Sequence, residues 1–160
     1  KVLVESGYDV IVPIVDSSLT VCLAVEKQSA YCIGTEYDLS NKVPKSWLVG
    51  QAWNYGPLYV RIVQKILKGS WKSDTEYFYA KDGYALLASF GQSVPKSVQD
   101  EAMATYQKIK QGKINVLAGP IKDVKGKVRI PAGKIADNHT IEQMNWVVSG
   151  VEGNVPKIKN

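Results

Sequence analysis

Two aromatic rings and an amide stand together at Trp53, Asn54 and Tyr55. A flat heterocycle needs that combination: a ring face to stack on and a donor–acceptor group for its edge. Trp53 could equally be a core residue, and residue type alone does not choose between the two. Glu36 and Asp38 flank Tyr37. Two neighbouring carboxylates accept hydrogen bonds from a ring N–H or from sugar hydroxyls, and they also serve as ordinary loop caps. Asp16 and Ser17 stand just before a helical pattern, where capping is worth about 1 kcal/mol and leaves room for a ligand hydrogen bond.

Catalytic patterns are missing. The sequence holds no GxGxxG, GxxxxGK[ST], GxSxG or HExxH motif, and Gly112-Lys113 and Gly126-Lys127 lack the upstream glycine of a phosphate loop. With His139 as the single histidine, neither a histidine metal site nor a Ser-His-Asp triad is expected. The reading is a binding protein with no catalytic residue, metal or cofactor. Cys22 and Cys32 are too few for a disulfide scaffold and too far apart for a redox CxxC. Free buried thiols are the expected state, a bridge requiring the helix that carries Cys22 to lie directly over the strand that carries Cys32.

The 160 residues suit one domain-sized core, and 45% hydrophobic with 22% charged residues describes a globular chain. The net charge of +5 is spread over Lys42, Lys68, Lys96, Lys113, Lys127 and Lys157. Nucleic-acid binders gather such charge on one face, so no nucleic-acid partner is expected. The opening Lys-Val-Leu-Val-Glu-Ser-Gly reads as the end of a helix already under way. It suggests a fragment or processed chain whose targeting signal lies elsewhere.

The elements that would position these residues alternate. Residues 9–15 are nearly continuous apolar, as in a parallel strand covered on both faces. A helix follows through Leu19, Cys22, Leu23 and Glu26, then strands at 30–35 and 47–52. Tyr59, Ile62, Val63, Ile66 and Leu67 mark a helix over 57–68 with Gly69 as its stop. Strand-like stretches at 75–80 and 84–90 flank Lys81-Asp82-Gly83, and a helix over 95–111 turns Val98, Ala102, Tyr106 and Ile109 inward. Residues 119–131 read as a hairpin turning at Lys125-Gly126, followed by a short helix near 140–144 and an extended tail over 146–156. Trp47, Trp71 and Trp146 read as core or edge packing. Alternating strands and helices imply an α/β sandwich on a parallel sheet, whose ligands sit beyond the carboxyl ends of the strands. Asp16-Ser17, Glu36–Asp38 and Trp53-Asn54 occupy three such ends.

A family resemblance then emerges from Gly-Tyr-Asp-Val-Ile-Val (7–12), Tyr-Cys-Ile-Gly-Thr-Glu-Tyr-Asp (31–38), Trp-Asn-Tyr-Gly-Pro-Leu-Tyr (53–59) and Gly-Ser-Trp-Lys-Ser (69–73). Lys-Asp-Gly (81–83), Val-Pro-Lys-Ser-Val (94–98), Gly-Pro-Ile-Lys-Asp-Val-Lys-Gly-Lys-Val-Arg-Ile-Pro-Ala-Gly (119–133) and Met-Asn-Trp-Val-Val-Ser-Gly-Val-Glu-Gly (144–153) continue it. In order and spacing the chain resembles the basic membrane protein (BMP) family of ABC-transporter substrate-binding proteins.

The resemblance implies a type I periplasmic-binding-protein (Venus-flytrap) fold. Residues 1–160 would form the three-layer C-terminal lobe, with 118–160 as a hairpin extension returning toward the hinge. The N-terminal lobe would lie outside the chain. It implies a receptor, periplasmic or lipid-anchored at the cell surface, that hands a purine base or nucleoside to a membrane permease. The family's acidic segment falls on Thr35–Asp38, where nucleoside binders carry aspartate at the position of Glu36. Their ligand-binding lysine falls at or near Trp53. A tryptophan in place of that lysine favours a free base such as adenine or hypoxanthine. The implied ligand-binding residues are Trp53, Glu36, Asp16, Ser17, Asp38 and Asn54. An effector lobe of a transcription regulator with the same fold is the alternative.

Overall fold

The computed structural model describes residues 1–153, and the last part of the tail expected over 146–156 lies outside the described residues. The described residues form two compact units, the first over 1–113 and the second from 114 onward.

The first unit carries a four-stranded sheet in the order β1-β2-β3-β4. Strands β1 (Val10–Ile11), β2 (Tyr31–Gly34) and β3 (Trp47–Trp53) run parallel, and β4 (Ala85–Leu87) pairs antiparallel with the end of β3. A short helix α1 (Val2–Glu5) precedes β1, as the opening residues suggest. The expected buried strand over 9–15 shrinks to two ladder residues. It lies at the sheet's edge, and Pro13 has no N–H to extend a ladder. Val10, Val12, Ile14 and Val15 are correspondingly exposed rather than covered.

Helix α2 (Ser18–Glu26) joins β1 to β2 and buries Cys22 and Val25. Cys22 lies over Cys32 with Cα atoms 5.6 Å apart, and the two are joined in a disulfide. The expected free thiols are therefore a bridge, because the helix meets the condition that the spacing left open. Glu26, at the helix end, accepts hydrogen bonds from the N–H groups of Lys45 and Ser46 at 2.9 and 3.1 Å. It thereby fixes the chain entering β3.

The core gathers around Trp47, which is fully buried with Cys22, Val25, Ala30, Cys32, Leu39, Val43 and Ala88. Its indole N–H donates to the Ser89 carbonyl at 2.7 Å. The ring lies over Gly34 of β2 and Gly50 of β3; a Cβ at Gly34 would run into it, and one at Gly50 would come within 2.6 Å. Asp38 secures the loop between β2 and β3. Its carboxylate accepts from the N–H groups of Ser40 and Ser89, each at 2.9 Å. Partial burial pushes this carboxyl upward, but hydrogen bonds from Ser89 and Ser40 outweigh it and lower its pKa to about 2.

Helices α3 (Gly56–Leu67) and α4 (Lys96–Lys110) match the two strongest helical patterns. Pro57 occupies the first turn of α3, where no N–H is needed. Tyr106 of α4 donates its hydroxyl to the Ala85 carbonyl of β4 at 2.9 Å, whereas Val98, expected inward, is exposed. The strand expected over 75–80 does not form. Glu76 is instead drawn to Arg61 and Lys65 of α3, and the Arg61 guanidinium lies 5.1 Å from the Phe78 ring centre. A 3-10 turn, Ala80–Asp82, then redirects the chain through Gly83 at φ 79°.

In the second unit, β5 (Ile121–Lys122) and β6 (Val128–Ile130) form the expected antiparallel hairpin, with Gly126 at φ 79° in its turn. Asp123 organises it. Its buried carboxylate accepts from the N–H groups of Lys125 and Lys127 and from Arg129 Nε at 2.8 Å. Burial opposes the charge, yet Arg129 and the two amides hold this carboxyl below its ordinary range. Arg129 also lies over Trp146, 5.6 Å from the ring centre. Helix α5 (Asn138–Glu142) is capped by Asp137, whose side chain accepts from the Thr140 N–H at 2.8 Å. Of the tryptophans read as packing residues, Trp47 is buried, Trp146 is half-buried and Trp71 is exposed.

The Trp47 packing predicts that Gly34→Ala destabilises the protein by about 2 kcal/mol through overpacking, seen as a lower urea midpoint at unchanged slope. The depressed Asp38 pKa stabilises the fold above the carboxyl's ordinary 3.8 and is lost as pH falls through about 2. Urea titrations across that window should show the stability gap between wild type and Asp38→Asn closing as the pH drops. A gap independent of pH would contradict the assignment.

Candidate ligand-binding site

The carboxyl ends of β1, β2 and β3 meet along one rim of the first unit, and hydrogen bonds stitch them together. Ser18, buried at the start of α2, bonds the Thr35 hydroxyl at 3.0 Å, and Thr35 donates to the Pro13 carbonyl at 2.8 Å. These contacts join the first two strand ends. The Trp53 N–H donates to the Glu36 carbonyl at 3.1 Å, joining the second to the third. Glu36 sits at φ 75°, a left-handed conformation unusual for a residue with a side chain. Strain of this kind persists only where the surroundings impose it.

Each sequence-predicted residue has a definite place on the rim. Asp16 and Ser17 lie exposed at the β1 end. Ser17 occupies the cap position of α2, but its hydroxyl bonds Thr20 at 2.8 Å instead of a helix N–H. Glu36 is exposed beside Trp53. Trp53 closes β3 with 42% of its surface accessible, so it is no core residue. Asn54 is half-buried and donates its amide to the Gly83 carbonyl at 3.3 Å, while its backbone N–H donates to the Tyr84 carbonyl at 2.8 Å. Asp38 differs from the others: both its oxygens are engaged by the protein's own N–H groups.

Two aromatics extend the surface. Tyr55 stacks beside Trp53 with ring centres 6.1 Å apart and planes 28° apart, and Tyr59 stacks beside Tyr55 at 5.8 Å and 23°. Tyr55 stands next to Trp53 in sequence and was legible as part of the cluster. Tyr59 reads in the sequence only as an apolar helix position; its spacing of four from Tyr55, across the start of a helix, was the available signal. Ser18 carried no signal beyond its place in a run of capping residues.

The rim can therefore offer a ring face, the exposed carboxylates of Asp16 and Glu36, and one amide to a ligand. Residues 1–124 match the family described as ABC transporter substrate-binding protein PnrA-like. A purine-binding protein of Brucella abortus is 31% identical over 157 residues, covering 98% of this chain and 44% of the relative. A putative ABC transporter glucose-binding protein of Haloferax volcanii is 25% identical over 154 residues, covering 96% of this chain and 37% of the relative. The chain thus spans less than half the length of these curated relatives.

Among solved structures, a transcriptional activator of the comK gene from Bacillus halodurans is similar over 70% of this chain and 40% of that one, with a TM-score of 0.62 and 23% identity. An ABC transporter solute-binding protein from Conexibacter woesei is similar over 71% of this chain and 39% of that one, with a TM-score of 0.51 and 13% identity. Both likenesses show a shared α/β fold. With three-quarters of its residues inside the family match, the chain belongs to the PnrA-like substrate-binding proteins of ABC transporters.

Proposed function

We propose that the rim of β1, β2 and β3 is one wall of the cleft in which an ABC importer's receptor captures a purine base, with adenine or hypoxanthine favoured. The observation that carries this reading is the half-exposed Trp53 indole at a strand end, with the backbone of exposed Glu36 bonded to that of Trp53. A flat heterocycle gains most of its affinity by burying its face against such a ring, and a few directed hydrogen bonds fix its identity. Glu36 accepts from a ring or exocyclic N–H, Asn54 serves the ring edge, and Asp16 with Ser17 border the open side. Asp38 contributes by holding the loop that presents Glu36. The name of the Brucella relative supports a purine.

The second wall comes from a lobe outside this chain, and closure follows a hinge motion that the ligand stabilises. The receptor then delivers its ligand, chemically unchanged, to a membrane permease. Substrate-binding proteins of this family work outside the cytoplasm. The Cys22–Cys32 bridge fits that setting, since structural disulfides persist in oxidising compartments. The likeness to a transcriptional activator extends to the fold alone and supplies no reason to prefer a regulator.

Calorimetry on the receptor carrying both lobes tests the proposal with adenine, hypoxanthine, adenosine and glucose as separate ligands. A free purine base should bind most tightly, and Trp53→Ala should weaken it at least tenfold, about 1.4 kcal/mol. Tighter binding of glucose would overturn the purine reading; unchanged affinity in Trp53→Ala would remove the indole from the site.

A further inference from the structure

We propose that Tyr55 and Tyr59 are positioning residues, which set the orientation of Trp53 before any ligand arrives. The inference rests on the reading of Trp53 as a stacking face and explains how an exposed indole keeps a fixed orientation.

A half-exposed tryptophan at the end of a strand has rotamer freedom, and a ligand that froze it would bear the entropic cost at binding. The stack removes that freedom in steps anchored to a helix. Tyr55 caps α3, and the Tyr59 N–H donates to the Tyr55 carbonyl at 3.0 Å, so both backbones belong to the helix's first turn. Residues four apart on a helix project from one face, and the two rings meet at 5.8 Å. Tyr55 in turn abuts Trp53 at 6.1 Å. The strand side is equally fixed: Trp53 pairs with Ala85 of β4, and its N–H is held by Glu36.

All three rings remain accessible, at 42% for Trp53, 45% for Tyr55 and 60% for Tyr59. A side chain serving only as core filler would be buried; three stacked rings held at the surface make an ordered platform instead. The apolar residues of α3 that follow the same outward side, Val63 and Ile66, are exposed too. The helix therefore spends its first outward turn on the ring stack.

In the receptor carrying both lobes, labelled with 5-fluorotryptophan, this chain contributes four fluorine resonances, one each from Trp47, Trp53, Trp71 and Trp146. Trp53→Phe assigns the relevant one. In ligand-free protein, Tyr55→Ala should move the Trp53 resonance at least halfway toward that of the free amino acid and leave the other three in place. Tyr59→Ala should move it in the same direction by less, and Tyr55→Phe, which keeps the ring, should hold it at the wild-type position. A Trp53 resonance unmoved in Tyr55→Ala overturns the proposal. So does a shift of all four resonances together, which would assign the ring to general folding.

In the two-lobe receptor, adenine affinity should fall about fivefold in Tyr55→Ala, the worth of one aromatic contact, and recover in Tyr55→Phe. Absence of adenine binding in the wild type would sink the purine reading, while the fluorine measurement would still decide the role of the tyrosines.

Discussion

The rim exists because Trp47 sits where two adjacent strands carry glycine. An indole lying over the backbones of β2 and β3 needs positions without side chains beneath it, and Gly34 and Gly50 supply them. Gly91 extends the same logic, since a Cβ there would strike the Trp47 carbonyl. The packing fixes how β2 and β3 sit against one another, with Gly34 paired to Gly50. Two residues beyond Gly34 comes Glu36, and three beyond Gly50 comes Trp53. The backbone hydrogen bond between Glu36 and Trp53 thus follows a register set by core packing two and three residues before it. A shift in that register would break this backbone link between the second and third strand ends. The chemistry of the rim is held by a hydrophobic contact.

Polar groups at the rim divide into those the protein consumes and those it leaves open. Ser18, Thr35 and Asp38 are taken up by internal hydrogen bonds, which buried Ser18 requires and exposed Asp38 makes with backbone N–H groups. Glu36 and Trp53 stay exposed, Glu36 held through its backbone carbonyl and Trp53 also through its stack against Tyr55. The two carboxylates flanking Tyr37 look interchangeable in sequence and have different duties. Asp38 is held ionised by N–H donors from two segments, which makes it a clasp between the β2–β3 loop and the chain after β4. Glu36 sits on the strained turn that the clasp stabilises. One carboxylate secures the loop so that its neighbour can be presented.

Much of this was legible in the sequence where a pattern is local. The apolar periodicities over 57–68 and 95–111 correspond to α3 and α4, and the hairpin turning at Gly126 follows from its turn chemistry. The clustering of Trp53, Asn54 and Tyr55 at a strand end was equally visible, because strand ends and helix starts leave local marks. What escaped depends on distant partners. The stretch 75–80 has strand-like composition, but Glu76 and Phe78 are claimed by α3, and no ladder partner is left for it. The apolar run after Asp9 reads as a covered strand, yet it forms the sheet's edge and stays exposed. The disulfide turns on whether α2 lies over β2, a question of packing that spacing cannot answer. The fate of Asp38 was hidden for the same reason, since its second partner, Ser89, lies 51 residues away.

Ligand choice within a shared fold has to come from the strand ends, and the two curated relatives bear names that point to different chemistries, a purine and a sugar. A fully hydroxylated sugar brings several donors and acceptors, and each must find a partner or forfeit its bonds to water. On this chain Ser18, Thr35 and Asp38 are already bonded internally, and what remains is the carboxylates of Asp16 and Glu36, one partly committed amide and the Ser17 hydroxyl. A purine asks for less. It presents two broad faces with little need for hydrogen bonds and a rim with a few directed groups. An indole held at the surface by a stack of tyrosines meets the first requirement, and Glu36 with Asn54 meets part of the second. The ring area offered is what supports the proposed flat nitrogenous ligand, through residues whose backbone positions the core of the fold dictates.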